Sequence, residues 1–327
     1  MLTAHVFDID LTTQFRGITR RRGVILRGAA GWAEWSPFEE YPDAEAAWWL
    51  RSAVEAATTP PPAPVRDTVE VNAIVPAVSP PQAAARVRAA GCTTAKVKVA
   101  QPGQALDDDV ARVAAVRDAL GPGGRVRVDA NGAWGVTQAA DALAELAQFG
   151  LEYAEQPCAD VAALAAVRRE LHRRGVAVPI AADESIRRAQ DPFAVVAAAA
   201  ADVAVIKVQP LGGVRRCLDL AERLPLPVVV SSALETSVGL AQGLALAAAL
   251  PDLPYACGLE TGSLLADDVA TQPLRVQHGR LAVREVSAAA DALDRVAAGP
   301  EVARWWLDRL HRVAALVPGW PGLEEAV

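Results

Sequence analysis

The chain has 327 residues, of which 52% are hydrophobic and 22% charged, with a net charge of −7. That supplies a full core and excludes a disordered chain, a disulfide-stapled miniprotein and a collagen-like repeat. No Lys/Arg stripe runs beside aromatic residues, so nucleic acid is not an expected partner.

Residues 3–11 and 23–31 read as antiparallel strands, joined by a short basic loop at 13–22 (TQFRGITRRR). Residues 43–57 read as a helix with Trp48 and Trp49 on its apolar side, and 60–64 as a stiff proline linker. From about 69 to 260 short β-branched runs alternate with Ala/Leu/Arg-rich segments of helical period. The runs are 69–75, 95–99, 126–129, 151–155, 178–182, 203–208, 227–231 and 255–259. The helical segments are 80–90, 107–119, 137–148, 160–174, 191–200, 213–223 and 237–249. Gly91, Gly121, Gly150 and Gly175 stand where helices should stop. Beyond 272, runs at 274–276 and 280–283 flank His278–Gly279 as a hairpin, and 301–315 reads as a helix carrying Trp305 and Trp306.

Eight strands with seven intervening helices predict an α/β fold, a closed TIM-like barrel, with the two chain ends combining into an α+β cap. The expected division is 1–64 for the first part of the cap, 65–270 for the barrel and 271–327 for the segment completing the cap. An open doubly wound sheet is the alternative, but no GxGxxG follows a strand. The stretches 193–208 and 238–250 are the most apolar, yet they are too short to span a bilayer and are broken by Asp202, Lys207 and Gln242. No signal peptide is read at the N-terminus. Cys92, Cys158, Cys217 and Cys257 lie far apart with no CxxC, which suits buried thiols in a reducing cytoplasm and argues against a zinc site.

Of the 32 basic residues only three are lysines: Lys96, Lys98 and Lys207. Arginine serves wherever positive charge suffices; lysine can also lose a proton and act as a base or nucleophile. All three fall at predicted strand ends, the positions that line the mouth of a βα barrel. Lys96 and Lys98 (TAKVKV) share one face by their i, i+2 spacing. Asp129 (RVRVDANG), Glu155 (LEYAEQP) and Asp183 (IAADES) end the next three strands, and Lys207 (VAVIKVQP) follows. Singly, Asp129 and Asp183 read equally well as turn or cap residues. Together, three adjacent carboxylates would repel unless they surround a cation, and oxygen ligands without histidine favour Mg²⁺, with Mn²⁺ as a substitute. His5, His172, His278 and His311 fall at no strand end. A metal flanked by amines suits abstraction of a proton α to a carboxylate, so the expected partner is a small-molecule carboxylate. Lys98 needs its pKa lowered to serve as a base, and Lys96 beside it acts in that direction.

The ordered set KVK, VDANG, EQP, ADES and IKVQPLGG, with GWAEWSPF near the N-terminus and SSALETSVG at the seventh strand, resembles the enolase superfamily in its muconate-lactonizing branch. The resemblance covers nearly the whole chain. It implies a (β/α)7β barrel under an α+β cap, and one Mg²⁺ held by Asp129, Glu155 and Asp183. It implies a lyase reaction in which Lys98 removes the α-proton of 2-succinyl-6-hydroxy-2,4-cyclohexadiene-1-carboxylate and water departs. Lys207 on the opposite face would be a second acid/base or a cation–π stabiliser, and Lys96 an electrostatic helper. Asn131 is a candidate partner of the metal site. Arg16, Ser231, Ser232 and Gly258 are candidates for substrate contact, and Glu235 is a candidate for the mouth, to contact substrate or to balance Lys207. N-acylamino acid racemization on the same residues is the alternative; dipeptide epimerization fits less well, because GLETGS lacks an Asp-x-Asp. A Schiff-base lyase would leave the acidic strand ends unexplained. A non-catalytic binding barrel would tolerate Lys98→Arg.

Overall fold

The computed structural model describes residues 1–188 and 191–323. Three strands open the chain: β1 (Thr3–Phe15), β2 (Ile18–Gly28) and β3 (Gly31–Trp35), an antiparallel sheet in the order β1-β2-β3. The predicted basic loop is instead the end of a long hairpin. Phe15 pairs with Ile18, and the two residues between them, Arg16 (φ +52°) and Gly17 (φ +80°), turn with positive φ, the conformation that matches the twist of paired strands. Helix α1 (Asp43–Thr58) packs on β3 with Trp49 fully buried and Trp48 at its margin.

Next come β4 (Thr68–Glu70), β5 (Ala73–Val75), α2 (Pro80–Ala90), β6 (Thr94–Lys98), α3 (Leu106–Leu120), β7 (Arg125–Asp129), α4 (Val136–Leu146), β8 (Leu151–Glu155), α5 (Val161–Arg173), β9 (Ile180–Ala182), α6 (Glu184–Arg187), α7 (Ala194–Ala197), β10 (Val203–Lys207), α8 (Val208–Leu211), α9 (Val214–Arg223), β11 (Val228–Ser231) and α10 (Ser237–Ala249). Strands β5 to β11 form one parallel sheet in sequence order. Local chemistry sets the helix ends. Ser79 and Gln82 form a capping box ahead of Pro80 at the start of α2, and Gly91 closes that helix with φ +63°. The expected helix over 191–200 is reduced to the single turn α7, preceded by the short α6.

The predicted eighth strand, 255–259, is not a regular strand, but it closes the barrel. Cys257 bridges Val71 in parallel on one side, and Gly258 bridges Ser231 in parallel on the other. Four backbone hydrogen bonds carry the seam: Asn72 N to Cys257 O (2.9 Å), Cys257 N to Glu70 O (2.7 Å), Gly258 N to Val230 O (2.8 Å) and Ser232 N to Gly258 O (3.0 Å). The first predicted strand splits for the same reason: its first half, β4, pairs with β12 (Arg280–Ala282), and only β5 joins the barrel sheet. Residues 280–282 are therefore not one arm of a self-contained hairpin. Of that hairpin a single bridge, Gln277 to Arg280, remains. Helices α11 (Ala290–Arg295) and α12 (Pro300–Ala314) follow, and α12 packs against α1 and β1. The cap has its own core, with Trp35, Trp49 and Trp306 all buried in it. Among the described residues no helix is long and apolar enough to cross a membrane, and all four cysteines are free and buried.

Candidate active site

Register brings the site together. Lys98 of β6 is the Cα partner of Asp129 on β7, which is the partner of Glu155 on β8. Asp183 follows β9 directly, and Lys207 ends β10. With the barrel closed as eight staves, β6 and β10 stand four apart, so Lys98 and Lys207 face each other across the mouth. Lys96, Lys98, Asp129, Asn131 and Lys207 line one narrow cavity there, together with Ser231, Ser232 and Gly258 beside Lys207.

Each carboxylate is engaged by an amine. Lys96 Nζ donates to both oxygens of Glu155 (2.8 and 2.7 Å) and lies 3.4 Å from Asp129. Lys98 Nζ donates to Asp129 Oδ2 (2.5 Å) and to Asn131 Oδ1. Lys207 Nζ donates to Asp183 Oδ2 at 2.5 Å. Among the described residues no three His, Cys, Asp or Glu side chains are gathered closely enough to share one ion; here the ammoniums carry the counter-charge. The donor chemistry nonetheless fits an oxygen-ligated dication. The three acidic groups are at most 1% exposed on adjacent staves, and one ammonium touches two of them. Bare, three buried carboxylates on adjacent staves would be strongly unfavourable.

The electrostatics follow from burial and these pairs. Burial pushes the Glu155 carboxyl up to about 7, against the pull of Lys96. Burial also acts to raise Asp129, but Lys98 and Lys96 overcome it and hold that carboxyl well below the usual range. Asp183 is likewise held low, by Arg187 and Lys207, against burial. Burial would lower Lys96, yet Glu155 and Asp129 raise it well above an ordinary lysine. Lys98 is the opposite case. Burial lowers its pKa, Asp129 opposes the drop, and the Lys96 ammonium adds to it.

Several contributors escaped the sequence reading. Arg187 donates from Nε to Asp183 Oδ1 (2.9 Å) and from Nη2 to Glu184 Oε1 (2.7 Å), fixing the carboxylate from behind. Gln156 accepts at Oε1 from the backbone N–H of Asp183 (3.0 Å) and Ser185 (3.2 Å), which sets the turn after β9. Only the EQP motif hinted at Gln156, and nothing in the sequence marked Arg187. Glu260, also on the cavity wall, accepts from the Ile74 N–H at 3.0 Å.

The lesser candidates divide. Asn131 (φ +47°) links Lys98 to Glu184, to which its Nδ2 donates at 3.2 Å. Arg16, at the hairpin tip, reaches the cavity, donates to Tyr41 Oη (3.3 Å) and stacks on Phe38 (4.3 Å). Ser232 Oγ donates to Gly258 O at 2.6 Å and lies 2.8 Å from Thr261 Oγ1. Gly258 has no room for a side chain, since a Cβ there would sit 2.5 Å from Ser231 Oγ. Gly258→Ala is thus expected to displace Ser231 and to destabilise the protein by about 1–3 kcal/mol in chemical denaturation. An unchanged midpoint would contradict that packing. Glu235 corrects an expectation. It is buried away from the cavity, accepts from the Ala233 N–H (2.5 Å) and lies beside Arg21 and Glu34.

Glu34, from the GWAEWSPF segment, is fully buried between cap and barrel. Burial pushes its carboxyl up to about 7 from an ordinary 4.5, with Arg21 opposing. A carboxyl that holds its proton more tightly folded than unfolded stabilises most below the unfolded pKa, and that contribution is lost as pH rises through the folded one. Relative to wild type, Glu34→Gln should therefore gain stability between about pH 4.5 and 7, by up to about 3 kcal/mol. Denaturation midpoints across that range check the sign; parallel curves would refute it.

Residues 81–287 match the family described as Enolase C-terminal domain-like, and residues 6–57 match Enolase N-terminal domain-like. An o-succinylbenzoate synthase of Thermobifida fusca is 58% identical over 323 residues, covering 99% of this chain and 98% of the relative. One from Mycolicibacterium smegmatis is 52% identical over 317 residues, covering 96% of this chain and 95% of the relative. Among solved structures, muconate lactonizing enzyme from Pseudomonas fluorescens, complexed with muconolactone, superposes with a TM-score of 0.76 at 20% identity, over 91% of this chain and 98% of that one.

Proposed function

The chain belongs to the enolase superfamily, whose members work with a divalent metal, and on that premise we propose that it is an o-succinylbenzoate synthase. It dehydrates 2-succinyl-6-hydroxy-2,4-cyclohexadiene-1-carboxylate to 2-succinylbenzoate, a step of menaquinone synthesis, in the cytoplasm. The observation that carries the chemistry is the pair of lysines facing one another across one cavity, each paired with a buried carboxylate at a strand end.

Asp129, Glu155 and Asp183 would hold one Mg²⁺. When bound, the ion would take the place of Lys98 and Lys207 as counter-charge and, as a Lewis acid, would stabilise the negative charge that develops on the substrate carboxylate. Lys98 is the base. Its amine takes the α-proton, and the C–H electron pair passes into the ring system and carboxylate. The Lys98 ammonium then returns its proton to the departing hydroxyl, so that water leaves and the ring becomes aromatic. The lowered pKa of Lys98 favours the neutral amine this needs. Lys207 keeps its ammonium on the opposite face, where it stabilises the electron-rich ring. Lys96 remains paired with Glu155 and holds positive potential beside Lys98. Asn131 orients the Lys98 amine, and Arg16, Ser231 and Ser232 contact the succinyl arm.

Purified protein with Mg²⁺ should aromatize the cyclohexadiene substrate rapidly, followed by ultraviolet absorbance. It should racemize N-succinyl amino acids negligibly. Fast racemization with slow aromatization would overturn the assignment.

A further inference from the structure

One residue beside the cavity is strained. Leu234 has φ +68°, a region that bulky side chains rarely enter and that persists only where surrounding structure enforces it. It lies in the turn after β11, next to Ser231 and Ser232, and lines the cavity. Its side chain packs with Phe15 of the cap hairpin and with Ile74 and Leu264.

The enforcement comes from the cap. Arg21, on β2 and 2% exposed, donates from Nε to Leu234 O (2.9 Å) and from Nη2 to Ala233 O (3.3 Å). Those carbonyls belong to the two peptide planes on either side of Leu234, so one guanidinium fixes both of its torsions. Nη2 also donates to Ser36 Oγ at 2.8 Å. The same hydroxyl donates to Glu34 Oε1 (2.5 Å), while Glu34 Oε2 accepts from Thr236 N (2.9 Å), Thr236 Oγ1 (2.5 Å) and Gly239 N (3.2 Å) at the start of α10. Gly239 has no side chain where Glu34 enters; a Cβ there would lie 2.7 Å from Glu34 Oε2. A carboxylate at a helix N-terminus is favoured by the helix dipole. The turn is thus held at its carbonyls by a buried guanidinium and at its N–H groups by a buried carboxyl, both from the cap.

We infer that Arg21 and Glu34 are positioning residues for the substrate: they clamp residues 233–236 so that Leu234 seats against Phe15 and the hairpin closes over the cavity beside Ser231 and Ser232. This rests on the function proposed above. Neither residue touches the reacting atoms, so loosening the clamp should weaken substrate binding more than proton transfer.

The test is a double-mutant cycle in the full-length enzyme with Mg²⁺, reading KM and kcat separately. Arg21→Lys, which keeps the charge but puts a single nitrogen in place of the Nε–Nη2 fork that spans the two carbonyls, should raise KM by about tenfold and change kcat by less than about threefold. Leu234→Gly adopts the positive φ without strain, so in that background Arg21→Lys should raise KM by less than about threefold. Equal increases in both backgrounds would overturn the inference. If Arg21→Lys does not fold, Ser36→Ala takes its place in the cycle with the same criterion, a larger KM effect with Leu234 than with Gly. A wild type that does not turn over the cyclohexadiene carboxylate would overturn the function and this inference with it. Turnover with additive effects would overturn this inference alone.

Discussion

Replacing Lys98 with Arg is expected to lower turnover by about 10³-fold or more while the protein stays folded. Arginine keeps a positive charge beside Asp129 and Asn131, so the pairing that Lys98 makes there is conserved in kind. What arginine cannot supply is a neutral nitrogen at working pH. The burial and the neighbouring ammonium that lower Lys98 have no useful effect on a guanidinium. Circular dichroism and a thermal melt on the same sample would verify the fold, and the aromatization assay would measure the loss. A variant retaining a tenth of the activity would remove Lys98 from the chemistry and leave the barrel as a binding scaffold.

The second large effect concerns the carboxylates. Glu155→Gln is expected to weaken Mg²⁺ binding by on the order of 10²-fold or more, with activity falling in parallel. Calorimetric titration of metal-free protein reads the affinity directly. Glu155 accepts two hydrogen bonds from Lys96, and the amide can accept with only one atom. Lys96 then leans on Asp129, already 3.4 Å away, so Asp129 also becomes a poorer donor to a cation. Chelation of the wild-type protein should reproduce the loss of activity, and added Mg²⁺ or Mn²⁺ should restore the wild type only. Full activity in excess chelator would contradict the account.

The alternation of β-branched runs with helical segments made the barrel legible, because buried parallel strands cannot disguise their composition. The same reasoning located Lys96, Lys98, Asp129, Glu155, Asp183 and Lys207 at neighbouring strand ends, since strand period and barrel geometry both fix where a terminal side chain points. It failed where the chain leaves regular period. Residues 255–259 close the barrel through isolated bridges rather than a full ladder, so their pairing depends on both neighbours at once. Residues 13–22 look like a solvated loop by charge, yet Arg16 and Gly17 make a tight turn and Arg20 and Arg22 pair across the hairpin with Asp8 and Asp10. Glu235 lies four residues past the end of β11, near enough in sequence to suggest the mouth. The chain turns at Leu234 with positive φ, and Glu235 is buried away from the cavity, accepting from the Ala233 N–H. Arg187 was invisible for a different reason. Its value lies in an i, i+4 contact on a four-residue helix, which no propensity or periodicity signals.

In the loaded enzyme one dication, rather than Lys98 and Lys207, is the working counter-charge of Asp129, Glu155 and Asp183, which frees those two amines to face the substrate. Crystals grown with Mn²⁺ and 2-succinylbenzoate would test it through anomalous scattering. A single peak shared by those three carboxylates is expected, with the Lys98 and Lys207 amines turned toward opposite faces of the product ring. A peak elsewhere, or lysines still paired with Asp129 and Asp183 in the loaded crystal, would contradict it.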